Sequence, residues 1–375
     1  MTFRSSAPLA LIMTAVLVVG ALTFMSNRLF SGLTDEVETG QFELMQAILE
    51  NALSGAESKA LARAEIIAAL PTAKALVAAQ NREGLLAEYG PMFAIQKEKY
   101  GVDQGQFHVP PATSLLRLQA PDKFGDDLTK GRPMVVAANR DKAVRKGFAI
   151  ARTGPAVFGI APIADAAGNH VGTFEFGLDF GALLDGLKAS FGMEFAVFIE
   201  EKPLRDFGSG VDPARLADQN RVGRFIRWHA TNTALVGALA ADADLSVVNE
   251  PTTYVRNADG TPFGVLLFPL KNAAGDALGV IVVARDFSPS REATGRSLVW
   301  QIAFAIFAVV VLAGAAIVVI RGMVLRPLGV LDARLDALRA GARKTILDDT
   351  DRFPPEMDRI ARHIEQLAAP REDGA

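Results

Sequence analysis

The sequence predicts an α+β protein. Two β-sheet modules ride on one long N-terminal helix, between two transmembrane helices and ahead of an α-helical coiled-coil segment. Three observations predict it: uncharged stretches at residues 7–25 and 297–320, a proline-free amphipathic run over residues 28–70, and a hairpin-sized sequence that occurs twice. The chain has 375 residues, 50% of them hydrophobic, and a mean hydropathy of +0.22 that is high for a chain without membrane segments. At roughly 100–200 residues per domain, that length allows two or three modules. The 39 basic and 42 acidic residues give a net charge of -3 with no basic stripe, which excludes a general polyanion binder, so no nucleic-acid partner is expected. The lack of cysteine excludes disulfides, iron–sulfur clusters and thiolate zinc sites, and leaves the compartment open.

Residues 7–25 carry no charge for 19 positions, close to the ~20 needed to cross a ~30 Å hydrocarbon layer. The end of the stretch, LTFMSNRLF, has no small-x-small cleavage site before Arg28, so a retained anchor is expected rather than a removed signal peptide. Residues 297–320 form a second span of 24 uncharged positions. Six basic residues (Arg321, Arg326, Arg334, Arg339, Arg343 and Lys344) follow it, whereas Asp35, Glu36 and Glu38 follow the first. The positive-inside rule then places both termini in the cytoplasm, with residues 1–6 as a short tail and residues 26–296 outside. Two helices make neither a pore nor a transport path, so a bitopic chain of this kind is expected to pass a signal across an inner (cell) membrane.

Between the spans, Leu29, Leu33, Val37, Leu44, Ile48 and Ala52 mark a helix that runs to Pro71, and a second helical stretch is expected over residues 72–100. The repeat follows. Residues 162–180 read PIADAAGNHVGTFEFGLDF and residues 269–287 read PLKNAAGDALGVIVVARDF, with seven identities in nineteen positions at an offset of 107. Each is an apolar strand, a turn and a returning strand, in which Gly168 and Gly275 supply the positive φ of the turn. Strands over residues 144–152 and 252–256 precede the two hairpins, and helices are expected over residues 128–139, 180–191 and near 231–241.

A long helix followed by two sheet modules resembles the double-Cache extracellular sensor domains, whose modules are PAS-like. The runs FHVPPATSLLRLQAPDKFGDDL (107–128), AANRD (137–141) and ARTGPAVFGIAPI (151–163) are similar to the third double-Cache subfamily. The resemblance implies a membrane-distal module over about residues 71–192 and a proximal one over about 193–287. One face of each sheet would pack on the long helix, and the other would form a pocket for a small ligand. Strand parity places Leu115, Arg117 and Gln119 on one face and sets Thr173 and Glu175 opposite Phe174, Phe176 and Leu178. Together with the resemblance, this makes Arg117 and Glu175 ligand-binding candidates, with Asp127 and His108 beside them. Arg117 would fork onto a carboxylate, and Glu175 or Asp127 would hold an amine, so the ligand is expected among amino acids, carboxylates and amines. Two alternatives stay open. Arg117 pairs with Asp126 or Asp127 to fix the loop, or the two aspartates cap the helix over residues 128–139. His108 as a strand residue bonded to backbone, and Phe158, Phe174 and Phe176 as core, are the structural readings.

No catalytic pattern is present. His108, His170, His229 and His363 have no i, i+3 or i+4 pairing, and there is no nucleophile elbow, phosphate loop or dinucleotide fingerprint. No enzyme activity and no cofactor are expected.

After the second span, residues 321–368 resemble a HAMP domain. Leu328, Leu331, Leu335 and Leu338, and then Met357, Ile360, Ile364 and Leu367, step by 3, 4 and 3 as coiled-coil stripes. Pro327, Gly341 and Glu356 stand at the family's landmarks, with Ile346 the clearest apolar residue of the connector. Such helices bury too little alone, so the resemblance implies a homodimer with a parallel four-helix bundle. The tail, 369–375, leaves no kinase, cyclase or chemoreceptor hairpin, so His363 is expected to face solvent and output to come from a separate cytoplasmic or membrane protein. Membrane lipid is the remaining partner. The alternatives are a non-sensing membrane-anchored scaffold or a truncated chemoreceptor or kinase without its output domain.

Overall fold

The computed structural model describes residues 3–273, 275–340 and 353–368, the side chains of residues 3–8, 30–34, 293–298 and 367–368 excepted. It divides into two compact units, Glu36–Ser290 on one hand and Met1–Asp35 with Arg291–Ala375 on the other.

The first unit opens with the later part of α1 (Phe3–Ala69), then α2 (Pro71–Ala78) and α3 (Arg82–Tyr100). The helix expected over residues 72–100 is therefore two helices. Gln80 takes φ +49°, and the Asn81 side chain caps α3 by accepting from the Gly84 amide. Five strands follow, interrupted by one helix: β1 (Val102–Val109), β2 (Thr113–Arg117), α4 (Pro133–Asp141), β3 (Arg145–Ala151), β4 (Gly154–Ala164) and β5 (His170–Asp179). They form an antiparallel sheet in the order β2-β1-β5-β4-β3. Helix α4 starts at Pro133 rather than at residue 128, because Leu128 to Arg132 close turns through the Gly131 and Arg132 amides onto the Leu128 carbonyl and proline fits the first helical position. Asp126 and Asp127 consequently do not cap it.

Helix α5 (Phe180–Phe191) has Asp179 as its N-cap and left-handed Gly192 as its C-cap, and it leads to the second module. There β6 (Glu194–Glu200), α6 (Glu201–Phe207), β7 (Arg221–Val222), β8 (Phe225–Ala230), α7 (Thr233–Leu239), α8 (Asp242–Leu245), β9 (Thr252–Ala258), β10 (Thr261–Lys271) and β11 (Ala277–Asp286) give a sheet ordered β7-β8-β6-β11-β10-β9. The repeat is thus β4–β5 and β10–β11. Gly168 and Gly275 sit in its turns at φ +85° and +91°, and their amides donate to the Asp165 and Asn272 carbonyls.

One face of the first sheet, with Phe107, Phe174, Phe176, Val157 and Ile163, shares a buried core with Ala60 and Ala64 of α1, Val77 of α2 and Tyr89 of α3, whose ring lies 5.5 Å from that of Phe107. Contact with α1 is backbone-close: a Cβ on Gly159 of β4 would lie 2.0 Å from the Leu61 nitrogen. The opposite face packs Phe158, Ile160 and Ala156 on Met134, Val135 and Ala138 of α4.

In the other unit, α9 (Ser288–Val319) passes through a π-helical turn, Ile320–Leu325, into α10 (Arg326–Arg339), and α11 (Pro355–Ala368) packs on α10. The stretches Leu9–Leu29 and Val299–Arg339 are long and apolar enough to cross a membrane. Leu331, Ala361 and Ile364 are buried between α10 and α11, with Val330, Leu338, Phe353 and Met357 packed against them. Leu328, Leu335 and Ile360 stay exposed. Pro327 stands in the first turn of α10 and Glu356 in that of α11. Gly341 and Ile346 lie outside the described residues, as does the Leu367 side chain.

Candidate functional site

The second face of the first sheet carries a row of buried polar side chains. Strand register aligns Arg117 of β2 with Gln106 of β1, Gln106 with Glu175 of β5, and Glu175 with Ile160 of β4; His108 pairs with Thr173 one step along. Gln106, His108, Arg117, Thr173 and Glu175 are all buried, and Arg132, the residue before α4, joins them.

Two ion pairs organise the row. Arg132 Nη2 donates to Glu175 Oε2 at 2.5 Å, and its guanidinium lies 4.2 Å from the centroid of the Phe158 ring. Arg117 holds Asp126 through two bonds of 2.7 Å, Nη1 to Oδ1 and Nη2 to Oδ2, while Nη1 also donates to the Lys123 carbonyl at 2.8 Å. Of the two loop-fixing readings, the pair with Asp126 forms. The Asp127 carboxylate instead accepts from the Thr129 amide. His108 Nδ1 bonds the Thr173 hydroxyl at 3.1 Å, and its Nε2 stands 3.6 Å from Glu175 Oε1, beyond a hydrogen bond.

Burial drives the electrostatics. It lowers the His108 imidazole well below its ordinary value, and the Arg132 and Arg117 charges add to that, so the ring is neutral. Burial raises the Glu175 carboxyl, against the pull of Arg132 and Arg117. The Arg117 hydrogen bonds lower the Asp126 carboxyl.

These residues border a cavity of about 310 Å³, within the lower range of small-molecule sites. Arg117, Arg132, Asp126 and Asp127 line it, and so do Asp206 and Phe207 at the end of α6, which bring the second module against the first. Of the four candidates, Arg117 and Asp127 therefore reach the cavity; Glu175 does not line it but holds Arg132, and His108 stands beside Glu175. Arg132 itself was missed in the sequence, although Pro133 after it marked a helix start. A larger groove of about 700 Å³ runs between α1 and α5, lined by alanines and glycines together with leucines, with Lys59 exposed and Arg63 stacked on Tyr100. Among the described residues no group of three His, Asp or Glu is arranged to hold a metal ion.

Two PAS-like sheet modules strung on a long helix, the first with a charged cavity on its free face, define a sensory domain of the double-Cache fold. The chain belongs to the dCache_3 family, the double sensory domain of two-component sensor kinases, whose model matches residues 42–289. No curated protein matches the chain. Among solved structures, the ligand-binding domain of the Campylobacter jejuni chemoreceptor Tlp3 with 4-methylisoleucine is 13% identical at a TM-score of 0.41, over 70% of this chain and 94% of that one. The Pseudomonas fluorescens chemoreceptor CtaA domain with L-serine gives 14% and 0.36, over 67% and 98%. The sensor domain of the Vibrio cholerae histidine kinase DctB gives 11% and 0.38, over 68% and 97%.

Proposed function

We propose that this chain is a homodimeric transmembrane receptor whose exported domain, residues 26–296, takes a small ligand in the cavity of its membrane-distal module. The observation that carries the reading is the placement of two buried arginines, Arg117 and Arg132, in the wall of a cavity of small-molecule size. Each already has an anionic partner, Arg117 in Asp126 and Arg132 in Glu175, and the half-exposed Asp126 is the partner that a ligand anion would replace. The arginines suit a carboxylate, and Asp126 and Asp127 in the same lining suit an amine, so the ligand class is amino acids, carboxylates and amines. The basic residues after the second apolar helix support an inner-membrane topology with both termini in the cytoplasm and the sensor in the periplasm.

Signal would pass through the second span to residues 321–368, read as a HAMP pair. Exposure of Leu328, Leu335 and Ile360 beside the covered Leu331 and Ile364 supports a four-helix bundle with a second copy. A separate output protein would read that bundle. Ligand can bias it only by the difference of its affinities for two states, about 1–3 kcal/mol in typical coupling.

The test is a thermal-unfolding screen of the full chain in lipid nanodiscs against amino acids, carboxylates and amines. The reading expects a compound that raises the midpoint of the wild type and leaves Arg117→Ala unmoved. A screen in which every stabilising compound acts equally on both proteins would count against it.

A further inference from the structure

We propose that Asp126 is a built-in occupant of a carboxylate site: the fork of Arg117 takes either Asp126 or the carboxylate of an incoming ligand, and the ligand is a small carboxylate anion. This deepens the functional reading above and rests on it.

The pair is lopsided. The Arg117 side chain is 2% exposed, whereas that of Asp126 is 49% exposed. The cation is fixed in the sheet, and the anion stands at the cavity's solvent side. Geometry at the fork is the bidentate arrangement that a free carboxylate would adopt, with both Nη atoms spent on Asp126. Nε of Arg117 and Nε of Arg132 find no hydrogen-bond partner among the described residues although both are buried. Those two atoms are closed off from solvent, so the donors a ligand carboxylate would reach at this wall are the Nη atoms that Asp126 holds.

Exchange needs no loop opening. The Ser114 amide donates to the Asp126 carbonyl, the Gly125 amide to the Ser114 carbonyl and the Leu128 amide to the Ala112 carbonyl, so the backbone is pinned to β2 and its approach on both sides of Asp126. Rotation of the Asp126 side chain alone would vacate the fork. The other carboxylates of the lining are engaged elsewhere, Asp127 with the Thr129 amide and Asp206 with Lys202. Asp126 is thus the one whose departure exposes a buried guanidinium, and a replacement anion would be drawn to it. An amine or a neutral ligand would leave Arg117 and Asp126 paired.

Chemical rescue tests this on the full chain in nanodiscs. Asp126→Ala should unfold at a lower temperature than the wild type. Sodium acetate should restore much of the loss, while sodium chloride at equal ionic strength should not. Acetate should act on this variant at concentrations at least about tenfold below those that move the wild type, the difference being the removal of the competing side chain. The double variant Arg117→Gln/Asp126→Ala should show no preference for acetate over chloride. Should Asp126→Ala fail to fold, Asp126→Asn, which keeps the shape, should show the same preference for acetate. Equal action of acetate and chloride on the Asp126 variants, or an acetate response that survives in the double variant, would overturn the proposal. Should the nanodisc screen find only amines or neutral compounds bound at this cavity, the receptor reading would stand and this inference alone would fall.

Discussion

Arg132 reaches from the residue before α4 to Glu175 in the middle of β5, Nη2 to Oε2 at 2.5 Å, and lays its guanidinium on the Phe158 ring at 4.2 Å. The contact joins a loop that borders the cavity to the centre of the sheet, and both side chains are buried. Removal of one partner leaves the other an unpaired buried charge. Glu175→Leu and Arg132→Met alone should therefore each cost about 3–5 kcal/mol, whereas Glu175→Leu/Arg132→Met should recover most of it. Unfolding of the four proteins of this double-mutant cycle measures the coupling, and simple additivity of the two single changes would contradict it.

Acid should weaken the domain in two separate windows. The His108 imidazole is held below its ordinary value of 6.5 by burial, so below about pH 6.5 the unfolded chain takes up a proton that the folded chain refuses. Stability falls as pH drops through that range, and His108→Gln should flatten the fall. His170, also lowered by burial, would leave a remainder. The Asp126 carboxyl is lowered by Arg117, so its contribution is present above the ordinary carboxylate value and is lost as pH falls through the folded one. Midpoints measured from pH 8 to pH 3 separate the two, and an unchanged profile for His108→Gln would refute the assignment.

The two glycines of the repeat and the glycine of β4 should respond differently to alanine. Nothing lies within 4 Å of a Cβ on Gly168 or Gly275, so Gly168→Ala and Gly275→Ala should cost only the left-handed backbone, about 1–2 kcal/mol each. Asparagine at either turn should cost less. A Cβ on Gly159 would lie 2.0 Å from the Leu61 nitrogen, so Gly159→Ala must push β4 away from α1 and should lower the unfolding midpoint more than either turn variant. Equal shifts for all three would mean that the close approach of α1 is not a determinant of stability.

The absence of native cysteine makes the proposed bundle testable by single-cysteine cross-linking in membranes. Leu328→Cys and Leu335→Cys, exposed on the apolar stripe, should form disulfide-linked dimers on mild oxidation. Asp336→Cys, whose native side chain is 71% exposed off the stripe, should not. Cross-linking with no preference between these positions would argue against a parallel pairing of α10.

Much of this architecture was legible because its signals are local. The hairpin repeat and the helix Phe180–Phe191 follow from alternation, turn glycines and helical periodicity, which need no distant partner. What was not legible depends on pairing across long separations. The order β2-β1-β5-β4-β3 places Gln106 between Arg117 and Glu175, and no spacing in the sequence carries that register. Arg117 and Glu175 were recognisable as polar residues on strand faces of known parity. That Arg132 would fill the space between Glu175 and the cavity depended on where α4 begins, and the turn at Leu128 to Arg132 moved that start by several residues. The break between α2 and α3 did have a local signal: Asn81 followed by Glu83 in the first turn of a helix.

The most direct test of the receptor account is calorimetric titration of the full chain in nanodiscs with the best stabilising compound, for the wild type and Arg117→Ala side by side. The account predicts saturable one-site binding to the wild type and affinity at least about 100-fold weaker in the variant, since a buried charge-assisted pair is lost. Equal affinity for both proteins would place the ligand elsewhere and contradict the assignment of this cavity as the sensory site.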